Sequence, residues 1–192
     1  MSELHDLADF GYDTPLLSLA GWSGEGRVVD VYDGDSAHVV VRFRGEPSRV
    51  RVRLLGIDTC EIRDRDPENR ALAYAARDRF LAIVTSTRSS DWAGASRAAV
   101  RERLAGACHV VRLTCEDTDK YGRTLAVVTV DSEGDVDGGE TVDVGETLVR
   151  EGLAYRYDGG SKRSGDGMAE GIVAEGIVAE GIVAEGATED GA

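Results

Sequence analysis

The sequence predicts a fold of the α+β class that is mainly β, built as a small barrel or sandwich of five strands with helices between them. Three observations lead to this prediction. Residues 27–57 hold three runs in which apolar and polar residues alternate, each separated from the next by a short turn. Residues 109–131 hold two more such runs. Between the two groups, residues 68–86 place their apolar residues at helical spacing.

The first two strands are predicted at residues 27–32 and 37–44, joined by the turn DGDS at residues 33–36. In the second strand, apolar residues alternate with polar residues such as His38 and Arg42. Successive side chains of a strand point to opposite faces, so this strand covers a core with one face only.

The third strand is predicted at residues 48–57, after a turn at residues 45–47. Its first part alternates without a break between apolar residues and arginines. The apolar residues are Val50, Val52 and Leu54, and the arginines are Arg49, Arg51 and Arg53. Three strands in succession, each with one apolar face, are typical of a small barrel or sandwich.

The first helix is predicted at residues 68–86, where Leu72, Ala76, Phe80 and Ile83 form one apolar stripe. The rest of the chain continues the pattern of short elements. A loop rich in serine, threonine and glycine is predicted at residues 85–96, a second helix at 96–107, strands at 109–115 and 124–131, a turn at 116–123, a loose acidic loop at 132–140 and a third helix at 144–154.

The chain is predicted to form one domain at residues 26–160, between a weakly ordered arm at residues 1–25 and an acidic tail at residues 161–192. The tail contains AEGIV three times in succession, and a glycine at every fifth residue opposes a helix. We interpret the tail as a disordered, solvated segment, with a partner-binding segment as the alternative.

Acidic residues dominate the chain, with 36 of them against 22 basic residues and a net charge of −14. Only Lys120 and Lys162 are lysines. This composition is typical of proteins from salt-accumulating halophiles. An acidic chain normally repels nucleic acid, but at molar salt the Debye length falls to about 3 Å. Net charge therefore does not exclude a nucleic acid partner.

The three cysteines, Cys60, Cys108 and Cys115, lack the paired spacing of zinc sites, which favours a reduced intracellular chain. The N-terminal residues show neither a basic opening nor an apolar run long enough for a signal peptide or a membrane span. We therefore expect a cytoplasmic monomer that does not bind membranes.

Two aspartates occur where neighbouring strands of a small barrel end. Asp35 lies in the turn after the first strand, and Asp58 lies just beyond the third. Two carboxylates and a backbone carbonyl are suitable ligands for a hard cation such as Ca²⁺. Taken alone, the DGD motif is explained more simply as a turn.

Arg53 strengthens the case for a site, because its guanidinium offers a planar fork to two phosphate oxygens. Glu61 could act as a base on a water molecule near the metal. Arg123, at the end of the turn DKYGR, could supply positive charge on the leaving side. Each residue could also be ordinary surface charge, but together they indicate a phosphodiesterase.

These motifs resemble the staphylococcal nuclease (thermonuclease, micrococcal nuclease) family. The resemblance covers about residues 26–158 and keeps the order of the family's motifs. The motifs are DGDS at 33–36, RLLGIDTCE at 53–61, DKYGR at 119–123 and ETLVREGLAYRY at 146–157.

The resemblance implies an OB-type five-stranded barrel with flanking helices. It also implies Ca²⁺-dependent hydrolysis of DNA and RNA that leaves 3′-phosphate ends. By position in the motifs, Asp35, Asp58 and the backbone carbonyl of Thr59 would bind Ca²⁺. Glu61 would orient or deprotonate the attacking water.

The resemblance further implies that Arg53 and Arg123 bind the scissile phosphate and stabilise charge in the transition state. It implies roles in substrate binding for four more residues. Lys120 and Tyr121 would approach the neighbouring 3′-side phosphate, and Tyr155 and Tyr157 would flank the nucleotide, one of them by stacking. The alternative for Tyr155 and Tyr157 is that they are edge-strand or core aromatic residues.

The sequence departs from the family pattern at several places. Cys60 stands where the family usually has proline, which predicts a less fixed Glu61, and Ser36 stands where threonine is usual. Residues 85–107 insert a loop and a helix before the fourth strand, and the family's long C-terminal helix has no clear counterpart after Lys162.

Two alternatives to a nuclease are open at this point. One is a catalytically silent OB-type module that binds nucleic acid without cutting it. The other is a protein-interaction module whose acidic tail recruits a partner. The presence of both aspartates, the glutamate and both arginines favours the nuclease.

Overall fold

The computed structural model describes residues 17–131 and 141–157. Three sequence predictions fall outside these residues: the N-terminal arm up to residue 16, the loop at 132–140 and the acidic tail at 161–192.

Five of the eight strands in the described residues close into a barrel. The eight strands, in chain order, are β1 (Ser23–Asp33), β2 (Ser36–Phe43), β3 (Glu46–Leu54), β4 (Ile57–Asp58), β5 (Val110–Thr118), β6 (Thr124–Asp131), β7 (Thr141–Asp143) and β8 (Tyr155–Arg156). Antiparallel pairing runs in the order β3, β2, β1, β5 and β6, and a parallel contact between β3 and β6 closes the ring. This arrangement confirms the predicted OB-type five-stranded barrel.

The apolar side chains at alternate positions of the strands fill the interior of the barrel. Val39 and Val41 of β2 and Val52 and Leu54 of β3 point inward and are buried. Burial of each such side chain stabilises the fold by roughly 1.5–3 kcal/mol relative to exposure. The arginines that alternate with these residues near the start of β3 are exposed, as the sequence pattern predicts.

Three helices pack on the outside of the barrel: α1 (Pro67–Thr85), α2 (Arg97–Ala105) and α3 (Val144–Arg150). Helix α1 begins where the Asp66 side chain accepts a hydrogen bond from the backbone N–H of Glu68 at 2.8 Å. It buries Phe80 and Leu81 and packs against β1 and α3. Helix α2 also packs against β1, and α3 packs against β6. None of the helices in the described part is both long and apolar enough to cross a membrane.

The short strands β4, β7 and β8 were not predicted, because two or three residues are too few to show a period. The pair of β4 and β8 matters for function. It aligns Ile57 with Arg156 and Asp58 with Tyr155, and so joins the segment after β3 to the C-terminal tyrosines.

The first strand starts earlier than predicted, at Ser23. Leu19 is buried in the core, and the backbone N–H of Gly21 donates to the carbonyl of Cys115 at 2.9 Å. The alternation of apolar and polar residues did not predict this part of the strand, because glycines interrupt it at positions 21, 24 and 26. A Cβ at Gly26 would lie 2.5 Å from Cγ1 of Val39, so only glycine fits at that point of the barrel.

Candidate active site

A cavity of about 520 Å³ opens where the turn between β1 and β2 meets the end of β3. Five of the predicted site residues line it. These are Asp35, Arg53, Glu61, Tyr121 and Arg123. Residues from three separate motifs of the sequence therefore converge on one cavity.

Arg53 lies at the centre of the site and is buried. One end of its guanidinium, Nη1, donates to Oδ2 of Asp35. The other end, Nη2, donates to Oδ1 of Asp58 at 2.5 Å and to the carbonyl of Ile57 at 3.2 Å. The two aspartates thus meet at a single guanidinium, which offsets part of their buried negative charge.

The turn that carries Asp35 packs closely against its surroundings. A Cβ at Gly34 would lie 2.4 Å from Cβ of Ala76 on α1 and 2.9 Å from Cγ2 of Thr59. Asp35 is held in turn by Ser36, whose hydroxyl donates to Oδ1 at 2.8 Å. Glycine at this position lets the turn rest on the helix, and that contact fixes Asp35.

Asp58 is fully buried in β4, with no exposed surface. The hydroxyl of Tyr155 donates to its Oδ2 at 2.6 Å. Tyr155 is itself only 1% exposed, which places its ring in the core, the alternative given above for this residue, and its hydroxyl beside Asp58. Tyr157 is half-buried, and its ring centroid lies 5.9 Å from Cζ of Arg53, at the edge of the site.

Asp33 is a member of the site that the sequence analysis missed, although it shares the DGD motif with Asp35. It is buried, and its Oδ1 has no hydrogen-bond partner among the described residues. Burial raises the pKa of the Asp35 carboxyl well above its usual value, the charge of Asp33 adds to this, and Arg53 opposes it. Burial likewise raises the pKa of Asp33. The site therefore carries more buried negative charge than Arg53 neutralises.

The donor atoms of the site suit a hard cation. Asp35 and Asp58 offer carboxylate oxygens, Thr59 follows Asp58 directly and offers a backbone carbonyl, and Oδ1 of Asp33 is a buried acceptor without a partner among the described residues. Within the same ranges no three His, Cys, Asp or Glu side chains form a ready metal cluster, because Arg53 lies between the two aspartates. The residues fit Ca²⁺ in ligand type, and Arg53 occupies the space between them.

Arg123 is held beside Asp35 by the turn DKYGR. Asp119, which the sequence analysis also missed, accepts from Nε of Arg123 at 2.7 Å and from its backbone N–H at 2.8 Å. Nη1 of Arg123 donates to the hydroxyl of Ser36 at 3.2 Å. An aspartate that bonds the backbone a few residues onward is typical of a tight turn, which is the signal that identifies Asp119.

Tyr121 is 63% exposed at the mouth of the cavity. Nζ of Lys120 lies 5.2 Å from its ring centroid, and Cζ of Arg123 lies 5.6 Å from it. Nη2 of Arg51 donates to the carbonyl of Tyr121 at 2.9 Å and so ties the turn to β3. An exposed aromatic ring flanked by two cations is a suitable surface for a base and its phosphate.

Glu61 lies on the exposed rim of the cavity, just after a buried anchor. Cys60 packs with Ala73 and Tyr155, and its Sγ lies 3.9 Å from Oδ1 of Asn69. Burial raises the pKa of the Cys60 thiol to about 11, so the thiol stays protonated at neutral pH. A buried thiol thus anchors the segment at the position where proline would stiffen it.

Comparison with known proteins agrees with these motifs. A family model described as staphylococcal nuclease homologue matches residues 51–170. A micrococcal nuclease from Shigella flexneri is 31% identical over 145 residues, which cover 74% of this chain and 64% of that protein. The chain therefore spans a little less than two thirds of the length of this relative. Arg53, Asp58, Glu61 and Arg123 lie within the family match, and Asp35 precedes it.

Proposed function

The chain belongs to the staphylococcal nuclease family, and from this premise we propose that it is a nuclease that hydrolyses phosphodiester bonds of DNA, RNA or both. We propose further that it requires Ca²⁺ and leaves 3′-phosphate ends. The observation that carries the proposal is the position of Arg53 between two buried carboxylates, in a cavity that Glu61 and Arg123 also line.

Arg53 and Arg123 would bind the scissile phosphate, because planar guanidinium groups match pairs of phosphate oxygens. Asp35, Asp58 and the carbonyl of Thr59 would hold the Ca²⁺, which when bound neutralises phosphate charge and lowers the pKa of nearby water. The buried carboxylate in excess of Arg53 supports this assignment.

Glu61 would accept a proton from the attacking water as the water oxygen forms its bond to phosphorus. The bond that breaks is the one between phosphorus and the 5′-oxygen, so the phosphate stays on the 3′ side and the 5′-oxygen takes up a proton. Arg123 would stabilise the negative charge that develops on the phosphoryl oxygens and the leaving oxygen. Asp119 and Ser36 hold Arg123 at the cavity for this role.

Lys120 and Tyr121 would bind the neighbouring nucleotide, and Tyr157 would contact the nucleotide at the edge of the site. Every residue with a proposed role lies between β1 and β8 or directly after β8, so we propose that residues 171–192, beyond the family match, lie outside the nuclease domain. The exposure of Tyr121 supports stacking on an unpaired base, which favours single-stranded substrates.

The test is cleavage of heat-denatured DNA in molar KCl, with Ca²⁺, with a chelator, and with the variant Glu61→Gln. We expect cleavage to require Ca²⁺ and turnover of the variant to fall by ~10²–10⁴-fold, as for a positioned general base. Glu68→Gln, an exposed glutamate in the first turn of α1, is the matched control and should keep full turnover.

Unchanged turnover in Glu61→Gln would remove the assigned base. If the folded parent protein binds the denatured DNA but does not cleave it, the silent OB-type binding module is favoured instead.

A further inference from the structure

Helix α2 brings Arg97 to the cavity from a part of the chain outside the shared motifs. Val100 and Leu104 are buried and hold the helix against the barrel. On the side toward β1, Arg97 and Arg101 both bond to Asp30, and Arg97 also lines the active-site cavity.

The buried carboxylate of Asp30 bonds to the guanidinium groups of both Arg97 and Arg101. Its side chain is 3% exposed, whereas those of Arg97 and Arg101 are 40% and 52% exposed. Its Oδ2 accepts from Nη2 of Arg97 at 2.6 Å and from Nη2 of Arg101 at 2.8 Å. The Tyr32 ring lies 4.8 Å from Cζ of Arg97. Each guanidinium is thus fixed on one edge, and N–H groups remain for an anion on the solvent side.

Strand β3 extends the same surface. Its exposed Arg51 pairs in register with His38 of β2, and the exposed Arg49 lies two residues along the same face. Burial lowers the pKa of the His38 imidazole, Asp30 opposes this, and the charges of Arg49, Arg97 and Arg101 lower it further. The three arginines therefore lie within electrostatic range of one ring.

Neutralising Asp30 does not account for this set, because this one buried carboxylate already bonds to both Arg97 and Arg101, and the exposed Arg49 and Arg51 lie two strands away on β3, in a chain with a net charge of −14. The set is also continuous with the cavity. Arg51 bonds to the carbonyl of Tyr121 on one side of the cavity, and Arg97 lines the same cavity together with His38. An anionic chain that leaves the cavity over β2 and β3 would meet positive charge held in place.

We propose that the α2–β3 arginine patch, formed by Arg49, Arg51, Arg97 and Arg101, is a second phosphate-binding surface that holds the polynucleotide strand beyond the nucleotide being cleaved. The proposal rests on the proposed nuclease function and specifies the substrate as a strand of several nucleotides. The hydrogen-bonded guanidinium groups of Arg51, Arg97 and Arg101 favour this use, because little side-chain entropy is given up when they bind phosphates.

The experiment measures affinity for a single-stranded oligonucleotide of about 16 nucleotides, the upper site size of an OB fold. It uses the full chain carrying Glu61→Gln, with Ca²⁺, at salt concentrations from about 50 to 200 mM. The variants are Arg101→Gln and the double variant Arg49→Gln/Arg101→Gln. We expect the slope of log affinity against log salt to become shallower by about 0.7 for each phosphate that is no longer neutralised, hence by about 1.4 for the double variant.

Arg112→Gln is the matched control. Arg112 lies on β5, its side chain is 58% exposed, and it is paired with Asp131 at 3.2 Å, so it resembles Arg101 in exposure and pairing but lies outside the patch. Its replacement should leave the slope unchanged. Arg101→Lys keeps the charge and should restore the parent slope. The double variant is also made in the enzyme that keeps Glu61. There we expect the KM for the oligonucleotide to rise toward the KM for a dinucleotide, because only the longer substrate reaches the patch.

The outcomes separate the two proposals. If the parent protein neither binds nor cuts any strand, the nuclease function fails and the patch fails with it. If the parent cuts and binds but the Gln variants keep its salt slope, only the patch is overturned. If the double variant melts at a lower temperature than the parent, the salt slope of the single variant Arg49→Gln is used to test the patch. This variant leaves both bonds to Asp30 in place.

Discussion

At the scale of single residues, the buried carboxylates of the site depend on their hydrogen-bond donors. Asp58 has no exposed surface, and its two oxygens accept from Arg53 and Tyr155. A phosphate that binds Arg53 would compete with Asp58 for that guanidinium. Tyr155 would then remain as the donor that keeps Asp58 in place, which makes it a positioning residue of the proposed metal site.

Tyr155→Phe tests this role. The variant keeps the ring in the core but removes the hydroxyl 2.6 Å from Asp58. We expect the Ca²⁺ concentration for half-maximal cleavage to rise by roughly 10–100-fold, the usual effect of removing a hydrogen bond to a metal ligand. Tyr74→Phe, on the exposed side of α1, is the control. An unchanged Ca²⁺ requirement in Tyr155→Phe would show that Asp58 does not need this bond.

At the scale of elements, the site depends on a contact between a turn and a helix. The turn between β1 and β2 reaches α1 because Gly34 has no side chain, and a Cβ there would lie 2.4 Å from Cβ of Ala76. Neither the turn nor the helix has a flexible side-chain end at this point that could move away. The position of Asp35 in the cavity is therefore set by the packing of the Gly34 backbone against the methyl group of Ala76.

Gly34→Ala should destabilise the protein by roughly 1–3 kcal/mol, as expected for overpacking at a tight contact. Thermal unfolding followed by circular dichroism measures the change. Gly106→Ala is the matched control, because a Cβ there meets only backbone carbonyl oxygens, the nearer at 3.4 Å, and Gly106 has an ordinary right-handed conformation. Equal melting temperatures for the parent and Gly34→Ala would mean that the turn can shift at no cost in stability.

The elements also show what the sequence can predict. Strands β2 and β3 and helix α1 follow from periodicity, because each is long enough to repeat its pattern several times. Strands β4 and β8 have two residues each and exist only through pairing across the fold. The same pairing buries Tyr155, and the alternating AYRY motif alone could not decide between a core position and an exposed one.

At the scale of the whole molecule, closure of the barrel assembles the site. The parallel pairing of β3 with β6 aligns Val52 with Thr124 and Arg53 with Leu125. This register places the turn DKYGR, and with it Arg123, beside the end of β3. The motifs alone indicate the proposed site residues. They do not indicate Asp33, whose burial appears only in the closed barrel, or the hydrogen bonds of Asp119 to Arg123, which depend on the geometry of the turn.

The net charge of −14 predicts that salt stabilises the whole molecule, because screening weakens repulsion among like charges. The Debye length falls from about 10 Å at 0.1 M to about 3 Å at 1 M salt. Across this range of KCl we expect the melting temperature to rise by more than about 4 °C, or ~1 kcal/mol for a chain of this size. Sodium sulfate at equal ionic strength separates the causes: an equal rise indicates screening, whereas a larger rise indicates stronger apolar burial. A melting temperature that stays constant or falls in KCl would contradict the halophilic interpretation of the composition.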